Sequence, residues 1–358
     1  MATIFGHIGL ADTDRVFSST IGQRVIYEAA TMHVAKASAE LDLALVVFLE
    51  RSTDEFKLRY KLPGGGYLQR RAEDGRYGAI RPYGGWDVGL PLEDLGAMLT
   101  YNDVARAYMS AAELDRHIQE VENANINTVR FEVLKRLFNN VQTTFEDPLH
   151  GSILVEPLAN GDAVTYPPEL GAAADATEDL YLESGYAASA ISDTNDPYVT
   201  IVNKFVDHFG ETTGGENIIT FINYAQAAKT EALTSFVEVQ DGFVRTGVNT
   251  DVPDRLPTVP GRIIGRHTAG TWVSVWRRIP ANYMLAIHLE EEAPLLRRID
   301  PADTGLGDGL QLVAMNEQFP FIDSVWRHRF GVGAGNRLNG VVMELGVGGT
   351  YSIPSEFA

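Results

Sequence analysis

Apolar positions recur at two periods along this chain, and the switches between them mark out its elements. Val104, Tyr108, Ala111, Leu114, Ile118, Val121, Asn125, Val129, Val133 and Leu137 follow spacings of three and four with no Pro or Gly among them, which describes one face of a helix. Thr100-x-x-Asp103 reads as a capping-box start and Asn139-Asn140 as the end. A helix of roughly forty residues, about 60 Å at ~1.5 Å per residue, is predicted. Asn123, Asn125 and Asn127 interrupt the stripe and mark a possible break, and no strict heptad seam accompanies it.

Earlier, Ile21, Val25, Ala29, Met32 and Lys36 form a shorter helical stripe, and Leu41 to Leu49 reads as a buried strand. Residues 50–97 do not read as core. Gly64-Gly65-Gly66, Pro82 and Gly84-Gly85 punctuate them, and Asp74-Gly75 sits between two strand-like runs as the turn of a β-hairpin. Beyond the long helix, strands are expected at Ser152–Pro157 and Ala163–Tyr166 and a helix at Pro197–Phe209. Asn217–Asn223 reads as a strand leading into a helix from Tyr224 to Leu233. Further strands are expected at Arg262–Arg266, Thr271–Trp276, Ile279–Ile287 and Pro294–Arg298. The chain ends on an aromatic strand from Ser324 to Phe330, a turn at Gly331-x-Gly333-x-Gly335 and an apolar strand from Val341 to Leu345. Helices and strands in this order make an α+β protein.

Composition narrows the function. At 358 residues the chain is long enough for about two domains of ~150 residues. It contains no cysteine, which removes disulfides, thiolate-ligated metals and cysteine nucleophiles. No apolar run approaches the roughly 20 residues of a membrane helix. Met1 to His7 lacks the basic and apolar regions of a signal peptide, so synthesis in the cytoplasm is expected. The net charge of −19 argues against a protein that grips nucleic acid. The charge is also uneven. No Lys or Arg lies between Arg136 and Lys204, where acids are frequent, whereas Arg51, Lys57, Arg59, Lys61, Arg70, Arg71, Arg76 and Arg81 crowd a stretch with few acids. Such asymmetry is a simple dipole in a monomer and a docking pattern in an assembly.

The motifs of chemistry are missing. The histidines are not paired at metal-ligand spacing, and no Gly-Lys-Ser/Thr or Gly-x-Ser-x-Gly occurs. Gly331-x-Gly333-x-Gly335 and Gly305-x-Gly307-x-Gly309 lack the dinucleotide-binding spacing and read as turns. Asp193-x-Asn195-Asp196-Pro197 lacks the glycine and distal glutamate of a calcium loop and reads as a helix-capping turn. No catalytic, cofactor-binding or metal residue is assigned. The 48 acids leave room for paired carboxylates, so a soluble carbohydrate-active enzyme stays open as an alternative.

The block Trp326-Arg327-His328-Arg329-Phe330-Gly331, the glycines after it, the Asn336-Arg337 pair, the apolar strand and the closing Tyr351-Ser352-Ile353-Pro354 resemble the ending of major capsid proteins of tailed bacteriophages. The order of elements upstream is similar as well. The resemblance implies a capsid fold of the Hong Kong 97 type. Its parts would be an N-terminal arm (1–45), an extended β-hairpin loop (46–97), a spine helix with a peripheral domain (98–212), an axial domain (213–310), and a return to the peripheral domain with C-terminal strands (311–358). It implies a subunit without enzymatic activity or cofactor, assembling through hexamers and pentamers into an icosahedral head. That head would enclose double-stranded DNA without sequence-specific binding or a membrane, and the protein would end in the virion after synthesis and assembly in the host cytoplasm. Portal and cement proteins would be partners. Many relatives carry a long cleavable segment ahead of the arm, and little chain precedes Leu41 here, so scaffolding is expected from a separate protein. Arg70, Arg71, Asp74, Gly75, Arg76 and Arg81 would make inter-subunit contacts over the acidic surface of a neighbour. Some relatives join a loop lysine to an asparagine on a neighbour, and Lys57 or Lys61 with Asn336 or Asn339 occupy those regions. An encapsulin-like compartment shares the fold and is the other alternative.

Overall fold

The computed structural model describes residues 23–61, 85–100, 109–166, 177–209, 217–238, 259–314 and 323–358. Helix α1 (Gln23–Leu45) leads through a short turn into strand β1 (Leu49–Thr53). Strands β2 (Lys57–Lys61) and β3 (Gly85–Gly89) pair as an antiparallel ribbon, and β4 (Glu93–Thr100) precedes helix α2 (Ala111–Phe138). A hairpin of β5 (Thr143–Asp147) and β6 (Gly151–Val155) follows, then β7 (Tyr181–Glu183) and α3 (Pro197–Phe209). Strand β8 (Ile218–Ile222) and helix α4 (Tyr224–Glu231) come next. The remaining strands are β9 (Phe236–Glu238), β10 (Arg262–His267), β11 (Thr271–Val275), β12 (Tyr283–His288), β13 (Leu295–Arg298), β14 (Gln311–Ala314), β15 (Asp323–Ala334) and β16 (Val341–Glu344). The chain forms two compact units: Met1–Leu41, Glu93–Val129 and Asp300–Arg329 in the first, Asp42–Leu92, Arg130–Ile299 and Phe330–Ala358 in the second.

The second unit is built on a seven-stranded sheet ordered β7-β16-β12-β8-β11-β10-β9. All five residues of β8, Ile-Ile-Thr-Phe-Ile, are buried because both faces of the sheet are covered. The Phe221 ring lies 5.3 Å from Phe48 and 6.0 Å from Trp276. Ile218 and Ile222 point the other way, into a core with Tyr198, Ile201, Val202 and Phe205 of α3. Those four recur at helical spacing, and each fully buried aliphatic or aromatic side chain contributes about 1.5–3 kcal/mol. Within the sheet, Thr220 and Thr271 join their hydroxyls at 2.8 Å, so neither is buried unpaired. Helix α4 starts at a full capping box: Asn223 Oδ1 accepts from the Ala225 N–H and Gln226 Oε1 from the Asn223 N–H, each at 3.0 Å.

The first unit has a smaller core of Ala30, Val34, Met109, Leu114, Ile118, Val121, Leu310 and Trp326. Helix α2 opens on Ser110, whose hydroxyl accepts from the Glu113 N–H while Glu113 accepts from the Ser110 N–H at 2.9 Å. His33 of α1 meets the buried Glu122 carboxylate of α2 at 2.7 Å. Strand β14 runs antiparallel to the Ser324–Arg327 stretch of β15, where β4 also pairs.

Several expectations need correction. The long helix starts at Ala111 rather than Thr100, because Thr100 is the last residue of a sheet strand. It runs 28 residues without a break at the asparagines. Leu41 is helical, not strand: Leu41 and Leu45 lie four apart on one buried face of α1 with Ala30 and Val34, while Met32 is exposed. Ala163–Tyr166 forms no strand, and Thr143–Asp147 does. Residues 50–97 contain core after all, since Trp86, Val88 and Leu90 are buried.

Gly331 and Gly333 lie inside a strand and not in a turn. A Cβ at 333 would stand 2.6 Å from the Leu90 side chain and 2.9 Å from the Gly89 carbonyl oxygen, and one at 331 would fall on the Pro91 carbonyl. The alternate glycines flatten one face of β15 so that the backbone of residues 89–91 can lie on it. Gly331→Ala should therefore destabilise the protein by about 1–3 kcal/mol in urea unfolding, because the obstacle is backbone. Gly348→Ala, whose Cβ would meet nothing nearer than the Thr350 carbonyl oxygen at 3.9 Å and Glu183 Oε1 at 4.0 Å, should stay within about 0.5 kcal/mol of the parent.

Candidate functional site

The second unit offers two outward structures with buried roots. One is the β2–β3 ribbon. Its register places Arg59 opposite Asp87 and Tyr60 opposite Trp86. Arg59 grips Asp87 with both Nε (2.5 Å) and Nη2 (2.9 Å), and Lys57 Nζ reaches the same carboxylate at 2.8 Å. The hydrogen bonds from Arg59 and Lys57 hold the Asp87 carboxyl well below the usual carboxylate range. On the other face Tyr60 stacks on Trp86 at 5.4 Å, and Trp86 donates its indole N–H to the Gly335 carbonyl at 3.1 Å.

The turn beyond Gly335 is a polar knot. Asn339 is fully buried: its amide donates to the His288 and Glu292 carbonyls at 2.9 and 2.8 Å, and its Oδ1 accepts the His288 N–H at 2.9 Å. Arg337, also fully buried, donates to the Pro157 carbonyl at 2.7 Å and to Asp162 at 2.6 Å. Asn336 donates to the Glu292 carbonyl at 3.1 Å and accepts the Leu338 N–H. These asparagines are occupied in holding the turn, and Lys57 is held by Asp87. For Lys57, Asn336 and Asn339 the geometry favours a structural role over a crosslink. The side chain of Lys61 lies outside the described residues.

The second outward structure is the β5–β6 hairpin. Its root is a buried ion pair in which Arg298 donates to Asp147 at 2.7 Å and to the Leu90 carbonyl at 2.9 Å. Burial raises the Asp147 carboxyl, but the Leu149 N–H, Arg298 and the His150 N–H outweigh it and bring it below its ordinary value.

The acids of the segment lacking Lys and Arg are largely engaged. Glu178 takes Lys204 Nζ at 2.5 Å and His208 Nε2 at 2.9 Å. Asp162 takes Arg337, Asp193 the Thr234 N–H, and Glu183 the Gly349 N–H. Asp196 caps α3 by accepting the Tyr198 N–H at 3.0 Å, as the helix-capping reading expected. Glu146 stays exposed on β5. The acidic surface is thus smaller than the sequence suggests.

One cluster invites a catalytic comparison, namely Ser235, His267 and Asp196. Ser235 Oγ and Asp196 Oδ2 both lie on His267 Nε2, at 2.6 and 3.1 Å, while Nδ1 accepts the Ala269 N–H at 3.2 Å. A relay needs the carboxylate on one ring nitrogen and the hydroxyl on the other. Here the nitrogen facing serine carries the proton, so it cannot act as a base toward that hydroxyl, and the buried ring is a structural tie. Among the described residues, no group of three or more His, Asp or Glu could hold a metal ion, and no helix is long and apolar enough to cross a membrane. The proposed contact residues Arg70, Arg71, Asp74, Gly75, Arg76 and Arg81 lie outside the described residues. The β5–β6 hairpin was missed in the sequence. Its signal was Asp147-Pro148-Leu149-His150-Gly151, a turn sequence between two short strand-like runs.

The mixed α+β fold, with an antiparallel ribbon ahead of a 28-residue helix and strands returning from the chain's end, is of the Hong Kong 97 type. Over 96% of its length the chain is similar to a solved structure from Mycobacterium phage Patience, at 18% identity, a TM-score of 0.67 and 93% of that chain covered. Looser likenesses include the capsid structure of the cyanophage P-SCSP1u (10% identity, TM-score 0.49, 83% of this chain and 86% of that one). The mature capsid of bacteriophage PhiM1 is similar at 10% identity and a TM-score of 0.47, over 83% of this chain and 85% of that one. The sequence matches no family model, and no curated protein matches it.

The buried acids have a consequence in acid. Burial raises the Glu178 carboxyl, but His208 and Lys204 outweigh it and take it from 4.5 to about 2. A carboxyl depressed on folding stabilises the protein fully above its unfolded value, and the contribution is lost as pH falls toward the folded one. Its size is on the order of 3 kcal/mol. Stability of the parent, followed by urea unfolding, should fall between pH 5 and pH 2. Glu178→Gln should be less stable at neutral pH and show a flatter profile across that window.

Proposed function

We propose that this chain is the major capsid protein of a tailed bacteriophage, a structural subunit without enzymatic activity. It associates with copies of itself through hexamers and pentamers into an icosahedral head around double-stranded DNA. The observation that carries this reading is the likeness in fold, across nearly the whole chain, to the structure from Mycobacterium phage Patience. The C-terminal residues support it: the aromatic strand, the alternate glycines and the buried Arg337 and Asn339 form one structural block. In this role residues 1–45 are the arm, 46–97 the extended loop, 98–212 the spine helix and peripheral domain, 213–310 the axial domain, and 311–358 the return. Portal, cement and scaffolding proteins are its partners in the virion and during assembly in the host cytoplasm.

The charge of the chain fits enclosure better than grip. A surface of −19 does not condense on phosphates, which leaves packaged DNA free to move. The loop from Arg51 to Arg81 concentrates the cations, and the reading places Arg70, Arg71, Asp74, Gly75, Arg76 and Arg81 against a neighbour. Exposed Glu146 and the acids not engaged internally are the counterpart.

Light scattering with negative-stain electron microscopy of the native species tests the reading, with candidate scaffolding protein added if needed. Closed shells of megadalton mass holding DNA are expected; shells filled with a cargo protein would point to an encapsulin, and a persistent small oligomer would end the capsid reading. In a shell-forming preparation, replacing Arg70, Arg71 and Arg76 together by Glu should abolish assembly while leaving the circular dichroism spectrum unchanged. Normal shells from that variant would remove the loop contact.

A further inference from the structure

We propose that Leu149, at the tip of the β5–β6 hairpin, is a preorganised apolar anchor by which one copy of this chain docks on a second copy. The inference rests on the reading of the chain as a shell subunit and goes beyond it by naming a contact outside the extended loop. Leu149 is 86% exposed, the most of any large apolar side chain among the described residues. A single exposed leucine needs no explanation. What needs one is how firmly this leucine is held out.

Asp147 Oδ1 accepts the N–H of Leu149 at 2.8 Å and of His150 at 3.0 Å, which fixes the turn. Gly151 closes it at φ +72°, a left-handed conformation suited to glycine. Phe56 stacks on His150 at 3.9 Å and steadies it from the side. The other Asp147 oxygen is bound by Arg298, and the two side chains are only 3% and 5% exposed. A buried ion pair carries a desolvation cost of several kcal/mol per ion. Folding alone gives little reason to anchor a solvent-facing turn in this way. Docking does, because a surface side chain already fixed in place loses no further conformational entropy when a partner covers it.

The charge on the hairpin selects the occupant. Besides Leu149, its exposed residues around the tip are Thr144, Glu146, Pro148, His150, Gly151, Ser152 and the half-exposed Leu154. Glu146 is the one carboxylate among them, and no lysine or arginine lies on the hairpin. Two molecules of net charge −19 repel over most of their surfaces. A nearly neutral projection with an apolar tip is where copies can approach at least electrostatic cost, whereas an anionic partner finds no counter-charge there and a strongly cationic one finds Glu146 alone. The geometry therefore points to a second copy.

The test uses shells of the parent protein. Leu149→Asp should keep the parent's thermal midpoint, since the side chain touches little within its own subunit, yet lower the yield of shells about tenfold or more. If that variant loses its fold, Leu149→Ser gives the same readout. Because the chain has no cysteine, Leu149→Cys offers a single thiol. In assembled shells it should react with a maleimide about tenfold more slowly than in dissociated subunits. Undiminished assembly of Leu149→Asp, or equal labelling of Leu149→Cys in both states, overturns the anchor while the capsid reading stands. Failure of the parent itself to assemble overturns both.

Discussion

The carbonyls of Gly89 and Pro91 occupy the space that side chains at positions 333 and 331 would need. Much of the second unit depends on that close approach. It lets the chain leaving the β2–β3 ribbon lie flat on the end of β15, which in turn pairs with β13 from Leu295↔Ala334 to Arg298↔Gly331. Gly335 continues the pattern under the Tyr60 hydroxyl, and its carbonyl receives the Trp86 indole N–H. The seat of the ribbon is thus set by glycines some 250 residues later in the chain. A β-branched residue at any of these positions would push the ribbon off the sheet, with effects felt at the base of the loop before any neighbour is met.

Charge contributes in a way that net charge conceals. The segment between Arg136 and Lys204 has no Lys or Arg of its own, so its buried and half-buried acids draw partners from its C-terminal border and from far down the chain: Asp147 from Arg298, Asp162 from Arg337, and Glu178 from Lys204 and His208. Each pair stitches distant chain together and leaves a buried charge uncompensated if one member is removed. The uneven charge that looks like a docking pattern in the sequence is therefore used largely inside the subunit. What remains outside, among the described residues, is a smaller acidic surface.

Local signals were legible where one element satisfies itself. Helix α3 shows its stripe of Tyr198, Ile201, Val202 and Phe205 and its Asp196 cap, and the Asn223–Gln226 box announces α4. The order of the long helix and the returning strands was legible too, with the C-terminal block. Signals failed where two local solutions were equally good. Thr100-x-x-Asp103 and Ser110-x-x-Glu113 both fit a helix start, and only the pairing of β4 with β15 shows that Thr100 belongs to a strand. Leu41-Asp42-Leu43-Ala44-Leu45 fits either period, and burial at positions 41 and 45 decides for the helix. Alternate glycines at 331, 333 and 335 serve a turn or a flat strand face equally well until the chain that lies on them is known. The hairpin tip at Leu149 was hidden for another reason: its stability comes from Arg298, which is remote in sequence.

Arg298 also connects the two outward structures. One guanidinium nitrogen, Nη1, donates to the Leu90 carbonyl, next to the loop root, and to Asp147, which holds the Leu149 turn. The chain just beyond the β2–β3 ribbon and the tip of the hairpin are therefore referenced to the same buried atom. A shell subunit must hold its contacts with different neighbours at a fixed mutual spacing, because an angular error at each contact accumulates around a closed surface. Preorganised contacts held by a common rigid support meet that demand. On the capsid reading, the burial of Arg298 is thus as much a matter of geometry between contacts as of stability within the fold.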